Sequence, residues 1–408
     1  MTIYSQVPYL QKQRFLPRQI DLPPADGLAM VIVIPCLAEP DLIGTLASLE
    51  ACEPISSPVE VLIVINSSPI TPVEELMLNE ETKTAVKAWK KGKSLRYHVI
   101  DTGALPRNHA GVGLARKAGM DEAVDRLAQA GTHDGLIVCL DADCRVAPNY
   151  LQALSALPQN KKAHAWSIHV EHQEAGEHLS EAYLQAASKY ELFQRYYVEG
   201  LRFAGYPMAF HTYGSAMAVR SSAYQAQGGM NRRKAGEDFY FLHKYSLLGT
   251  LAECNSTTVF PSARASSRVP FGTGKSIQQY LDRADGSWES YPLSVFSEIK
   301  NFLSQAEEFR TSWPEGLSPA VEAFLAQEDL PTKLADMRQH GTTPDTFRKR
   351  WFAWLDALKM LRMVHFLRDQ LGGDKDLMAS AGELRSLIDP AADEPDLLAW
   401  YRHWQTSR

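Results

Sequence analysis

No stretch of this 408-residue chain approaches the eighteen consecutive apolar residues that a membrane-spanning helix requires. The N-terminal segment also lacks the apolar run of a signal peptide. Together these absences lead to the expectation of a cytoplasmic protein, at most peripheral at the inner face of a membrane. Cysteine is sparse. Cys36, Cys52, Cys139, Cys144 and Cys254 are scattered and contain no Cys-x-x-Cys pair, which argues against a structural zinc site and fits a reducing compartment. There is no excess of positive charge: 42 Lys and Arg stand against 48 Asp and Glu, a net charge of −6, so a nucleic-acid backbone is not expected as the main partner. Internal repeats and low-complexity tracts are absent. A Walker loop is absent too, because Gly274-Lys275-Ser276 only echoes the end of Gly-x-x-x-x-Gly-Lys-Ser/Thr.

What is present reads as a globular α/β chain. Hydrophobic residues make up 45% and charged residues 22%, and the length admits a large domain with a second unit. The central stretch is Leu136 to Asp143, Leu-Ile-Val-Cys-Leu-Asp-Ala-Asp: an apolar run that enters two carboxylates one residue apart. A run so short and apolar suits a strand buried on both faces. Upstream, Met30 to Ile34 (ended by Pro35), Val59 to Ile65 and Leu95 to Ile100 read as buried strands, alternating with helices over 39–49, 73–90 and from about Ala110. Downstream come strands at Ala163 to Val170, Tyr213 to Arg220 and Leu251 to Phe260, a long helical segment over Glu177 to Phe203, and a helix opened by Gly236-Glu237-Asp238. Beyond about Ser276 the pattern is almost all helix. The alternation predicts a mostly parallel, Rossmann-like sheet with helices on both faces, followed by an α-helical region. The expected divisions are an irregular lead-in over 1–28, an α/β catalytic domain over 29–275 and a helical region over 276–408.

Ligands of open parallel sheets bind at the carboxyl ends of strands. Three strand ends should therefore share one edge: Pro35 to Glu39, Asn66 to Ser68, and Asp141 with Asp143. Two carboxylates there suit a hard divalent cation such as Mg²⁺ or Mn²⁺. Glu39 is either a ribose hydroxyl acceptor or a helix first-turn acid. Asn66 either reads a base edge or forms an Asx turn. Arg264 to Lys275, with Arg264, Arg268 and several glycines, reads either as a basic mobile lid or as an ordinary surface loop, with Arg268 the favoured phosphate contact. His164, His169, His172 and His178 crowd one stretch without the cysteines that usually accompany a zinc site. His211 and His243 fit no motif. Phe347 to Arg368 mixes Trp351, Phe352 and Trp354 with basic residues. It suits either a membrane-surface helix or, more commonly, a helix that packs its aromatics into a core.

The order Ile-Pro-Cys-Leu-Ala-Glu, Leu-Ile-Val-Ile-Asn-Ser-Ser, Gly-Val-Gly-Leu-Ala-Arg-Lys-Ala-Gly, Asp-Ala-Asp and Gly-Glu-Asp resembles the family 2 glycosyltransferases of the GT-A fold over roughly residues 30–275. The resemblance implies a metal-dependent transfer of a sugar from a nucleotide-diphospho-sugar to an acceptor hydroxyl, inverting at the anomeric carbon. It assigns Asp238 as general base, Asp143 as metal ligand with Asp141 at the ribose or metal, and Pro35, Glu39, Asn66, Arg116 and Arg268 as donor-binding residues. Gly214, Ser215 and Glu237 would meet the acceptor, which is a carbohydrate, a lipid-linked molecule or a small molecule. Mn²⁺ or Mg²⁺ is the implied cofactor. A homodimer and peripheral membrane contact through 347–368 are the further associations the sequence admits. Three positions depart from the family pattern: Ala38 and His109 replace Asn residues, and Ile65-Asn66 replaces paired acids. Two rivals follow, a nucleotidyltransferase on a related fold and a non-catalytic nucleotide-sugar-binding or scaffold protein on a degenerate core.

Overall fold

The structure is a computed structural model that describes residues 7–106, 110–172, 180–233, 236–264, 273–282 and 287–408. It divides into two compact units. The first comprises residues 1–178 and 212–272, the second residues 179–211 and 273–408.

The first unit holds an eight-stranded sheet: β1 (Met30–Cys36), β2 (Val59–Ser67), β3 (Arg96–Ala104), β4 (Leu136–Cys139), β5 (Arg145–Val146), β6 (Ala165–Val170), β7 (Met217–Arg220) and β8 (Leu251–Phe260), in the spatial order β3-β2-β1-β4-β7-β6-β8-β5. Strands β3, β2, β1 and β4 are mutually parallel, with Met30 opposite both Val59 and Leu136. Strand β7 is antiparallel to β4 and to β6, and β8 returns parallel to β6. The expected mostly parallel α/β sheet is therefore observed, with β7 and the short β5 running against the rest.

Every residue of β1 is buried, because both faces are covered. Met30, Ile32 and Ile34 pack with Leu42, Leu46 and Leu49 of the helix α2 (Leu42–Glu50). On the other face, Val33 and Val64 press against Gly119 of α4 (Val112–Gln129), so closely that a Cβ there would lie 2.8 Å from Val64. Pro35 does not end β1, which continues to Cys36. Strand β4 pairs only as far as Val33, so the missing proline N–H falls where a neighbour is already gone.

The lead-in from residue 7 onward is more ordered than expected. It forms a short helix, α1 (Pro8–Gln13), and an arm that binds α4 through three buried carboxylates. Asp121 accepts from the Tyr9 hydroxyl (2.8 Å) and the Phe15 N–H (3.1 Å), Glu122 from the Gln19 and Ile20 N–H groups (3.1 Å each), and Asp125 from Arg14 (2.7 Å) and Arg18 (3.0 Å). Arg126 pairs with Glu60 of β2, and the Ala25 N–H donates to the same carboxylate (3.0 Å). Helix α4 is thus charged yet buried along its length. Each of these buried charges has a partner, as their desolvation requires.

Among the described residues the first unit also contains α3 (Val73–Trp89), α5 (Tyr150–Ala156), α7 (Ser221–Ala226) and α8 (Glu237–Leu247). The second unit contains α6 (Glu181–Phe203), α9 (Thr273–Leu281), α10 (Leu293–Ser304), α11 (Pro319–Gln327), α12 (Leu330–His340), α13 (Pro344–Trp354), α14 (Ala357–Gln370), α15 (Leu377–Ile388) and α16 (Leu397–Thr406). Helix α6, which lies inside the 29–275 stretch expected to form the α/β domain, groups with these C-terminal helices. Its Glu191 accepts from Arg195 (2.8 Å) and Arg402, and its Glu199 accepts from Gln405 (2.9 Å) and Trp404 (3.2 Å), so α16 is docked by buried polar bonds.

The basic aromatic segment 347–368 is two helices rather than one. Helix α13 ends at Trp354, and Asp356 caps α14 by accepting from the Lys359 N–H (2.8 Å). Phe347 and Trp351 are each 1% exposed and belong to the helical core with Met360, Val364 and Leu367. Phe347 and Trp351 are thus spent on packing. Among the described residues no helix is long and apolar enough to cross a membrane.

Candidate functional site

The parallel strands β1, β2 and β4 end on one edge of the first unit, and the side chains there are bound to one another. After Cys36 the chain turns through Ala38, whose φ of +48° lies in the left-handed region that an L side chain rarely enters. A clasp holds this turn. The Asn79 side chain of α3 accepts from the Ala38 N–H (2.8 Å) and donates to the Asn66 carbonyl (3.0 Å), while the Asn66 side-chain nitrogen donates to the Cys36 carbonyl (3.0 Å). Asn66 therefore joins the ends of β1 and β2, and it forms no Asx turn. Glu39 is 3% exposed and precedes α2. Its carboxylate accepts from the Asp41 N–H (3.0 Å) and from Arg264 (2.7 Å), so it is an ion-paired residue at the sheet edge rather than a first-turn acid.

Strand β4 stops at Cys139, and the two aspartates follow in a turn. The Cys144 N–H donates to the Asp141 carbonyl (3.2 Å), and Thr45 of α2 holds the Ala142 carbonyl (2.7 Å). Asp141 accepts from Arg116 Nη2 at 2.5 Å. Asp143 is partly exposed, with the Cys144 thiol 3.7 Å from its Oδ1.

Arg116 lies in the second turn of α4 and is 3% exposed. Its other terminal nitrogen donates to Glu237, the first residue of α8. Its Nε is buried without a partner. Gly236, at φ +69°, turns the chain into α8. Asp238 follows and accepts from the Phe239 N–H (2.7 Å) and the Gly214 N–H (2.9 Å). Burial pushes the Asp238 carboxyl above its ordinary range, against the pull of Arg116 and of those two N–H donors. Burial likewise pushes Glu237 up to about 7, opposed by Arg116 and assisted by Asp238. Two glycines make room. A Cβ on Gly214 would sit 2.5 Å from the Arg116 guanidinium, and one on Gly113 would meet the Arg233 carbonyl oxygen and Glu237 Cβ (3.0 Å). Ser215 is buried beside Gly214.

Of the residues singled out in the sequence, Arg116, Asp141, Gly214, Glu237 and Asp238 come together in one bonded cluster. Asn66 and Glu39 sit at the neighbouring strand ends, each with a protein partner. Arg268, His109, His178 and the rest of the 265–272 loop lie outside the described residues. His169 pairs with Glu171 (2.9 Å). Sequence reading missed Asn79, Asn231 (whose amide donates to the Glu237 carbonyl, 2.8 Å) and the cradle role of Gly113. Asn79 lies in the stretch 73–90 that reads as a charged helix and Gly113 in the Gly-Val-Gly segment, but neither pattern marks the role.

Among the described residues no group of three or more His, Cys, Asp or Glu side chains could cage a metal ion. The donors present are hard carboxylate oxygens at a partly open turn. They fit a Mg²⁺-like cation that takes one or two protein carboxylates and completes its shell with phosphate and water. Asp141 and Asp143 are the carboxylates of that turn, and Asp141 is also bound to Arg116.

The fold and site define an α/β protein with a carboxylate-rich cluster at the carboxyl edge of a mostly parallel sheet. No protein-family model and no curated protein sequence matches the chain. Solved structures of S. aureus TarS are similar to it. The 1–349 fragment is 12% identical, with 79% of this chain and 89% of that chain covered and a TM-score of 0.39. The same fragment in complex with UDP-GlcNAc gives 12%, 79%, 90% and 0.41. The likeness is a distant one.

Proposed function

We propose that the chain is a glycosyltransferase that moves a sugar from a nucleotide-diphospho-sugar to an acceptor hydroxyl, with Asp238 as the general base. The observation that carries this reading is the environment of Asp238: a half-buried carboxylate held by two backbone N–H groups at a helix start, with its pKa raised, in the same bonded cluster as the strand-end Asp141. A hydroxyl is a poor nucleophile, and a carboxylate whose proton affinity is raised by burial is a better base than a solvated one. Asp238 would take the acceptor proton on its carboxylate while the oxygen attacks the anomeric carbon from the face opposite the departing diphosphate, which inverts that centre. The Phe239 and Gly214 N–H groups hold the carboxylate oriented for that task. Strand ends β1 and β2 supply the surface for the nucleotide, with Asn66 and Glu39 beside it. Asp143 would hold Mn²⁺ or Mg²⁺, which when bound supplies Lewis-acid stabilisation of the leaving diphosphate.

The nucleotidyltransferase alternative is disfavoured by the residues after β1. Those enzymes place a glycine-rich phosphate loop there, whereas this chain has Leu37, Ala38 and the ion-paired Glu39. Product analysis tests the proposal. With a panel of nucleotide sugars and an acceptor mixture, the proposal expects free nucleoside diphosphate. Release of pyrophosphate would favour the alternative, and no turnover with any donor would favour a binding protein.

A further inference from the structure

The resemblance in sequence suggested that Arg116 contacts the donor. The side chain's surroundings point elsewhere. Its two terminal nitrogens are given to two carboxylates from distant parts of the chain, Asp141 after β4 and Glu237 at the start of α8. All three segments that make up the site meet on it: the Asp-Ala-Asp turn, the Gly214 strand approach, and the helix that carries Asp238. Gly214 lacks a side chain where the guanidinium passes, and its N–H is spent on Asp238. One cation therefore touches the turn that bears the donor-side carboxylates, the strand approach and the helix start beside the base.

We propose that Arg116 is a positioning residue, a buried cationic hub that fixes Asp141 and the Glu237–Asp238 helix start in one arrangement, and that it does not bind the donor. This inference rests on the transferase reading above. Without the hub, the half-exposed Asp141 and the buried Glu237 lose their shared counter-charge, and the helix start moves away from the Gly214 N–H. Donor binding draws mainly on the β1 and β2 ends, which the hub does not touch, and loses only what Asp141 adds, whereas proton transfer at Asp238 depends on the hub directly, because small displacements of a catalytic group cost rate steeply.

The test is steady-state kinetics with purified Arg116→Gln, Glu237→Gln and the double variant, alongside nucleoside-diphosphate binding by thermal shift. The hub predicts that each single change lowers kcat by roughly 100-fold with donor KM within about threefold of wild type. It also predicts that the double variant is no worse than the poorer single one, since both act through the same contact. Arg116→Lys, which keeps the charge but not the fork, should recover part of kcat. Should Arg116→Gln fail to fold, Gly214→Ala displaces the guanidinium without removing its charge and should show the same kcat-only loss. A rise of tenfold or more in donor KM with kcat preserved, or multiplicative losses in the double variant, would overturn the hub and leave the transferase reading standing. An inactive wild type on every donor would instead refute the transferase reading, and the positioning role with it.

Discussion

Replacing Arg126 by Leu should be among the most damaging single changes in the first unit, although it lies far along α4 from any carboxylate of the site. Arg126 and Glu60 are both fully buried. The guanidinium donates to both Glu60 oxygens and also to the Leu22 carbonyl (3.0 Å), so it ties together β2, α4 and the N-terminal arm. Leucine fills part of the volume but leaves Glu60 with only the Ala25 N–H and a distant His98. Removing one partner of a buried ion pair typically costs about 3–5 kcal/mol. In a unit of about 240 residues this lowers the melting temperature by roughly 6–20 °C. The pH dependence gives a sharper check. In the native protein, burial raises the Glu60 pKa, but the Arg126 bonds and charge outweigh it and hold the carboxyl below its ordinary value. The pair's contribution is therefore present above the unfolded carboxylate pKa and lost as pH falls through the lower native value. In the variant burial outweighs the one remaining Ala25 N–H bond, so the native pKa rises above the unfolded one. The charged form is then penalised at neutral pH and relieved on acidification. Urea melts should show the gap between variant and wild type shrinking from pH 7 to pH 5, and Glu60→Gln in the variant background should recover part of the loss at pH 7. A loss under 1 kcal/mol at pH 7, or a gap that widens on acidification, would refute the reasoning.

Asp238→Asn should reduce transfer by about 10²- to 10⁴-fold with thermal stability nearly unchanged, and the acid limb of the wild-type rate profile should lie above the ordinary aspartate range; both are read by product release between pH 4 and 9. Asn79→Ala removes the clasp and leaves the Ala38 N–H and Asn66 carbonyl without it, so about 1–3 kcal/mol of stability should be lost in a urea melt. Trp351→Ala empties a site in the helical core and should cost about 3–5 kcal/mol, while co-sedimentation of the wild-type protein with anionic vesicles should show no contribution from that ring.

The strands were legible because burial on both faces writes itself as an uninterrupted apolar run. Val59 to Ile65 lies inside the observed β2, and Leu251–Phe260 is the observed β8. The carboxylates at strand ends were legible for the same reason: a buried run that stops at Asp-Ala-Asp has reached the sheet's edge. The partnerships were not. Arg264 meets Glu39 across 225 positions and Arg116 meets Glu237 across 121, and no local spacing encodes such pairs. The N-terminal arm was read as irregular because its bonds run from backbone N–H groups and two arginines to carboxylates about a hundred residues away. The amphipathic pattern of 347–368 marked an apolar face but not what covers it. A core and a membrane surface leave the same pattern.

The most direct test of the central claim is nucleoside-diphosphate release from a panel of nucleotide sugars, with Mn²⁺ present and an acceptor mixture supplied, for wild type and Asp238→Asn side by side. The proposal predicts release with at least one donor by the wild type and a loss of at least about 100-fold in the variant. Equal release by both proteins would contradict the assignment of Asp238, and pyrophosphate in place of the diphosphate would contradict the reaction itself.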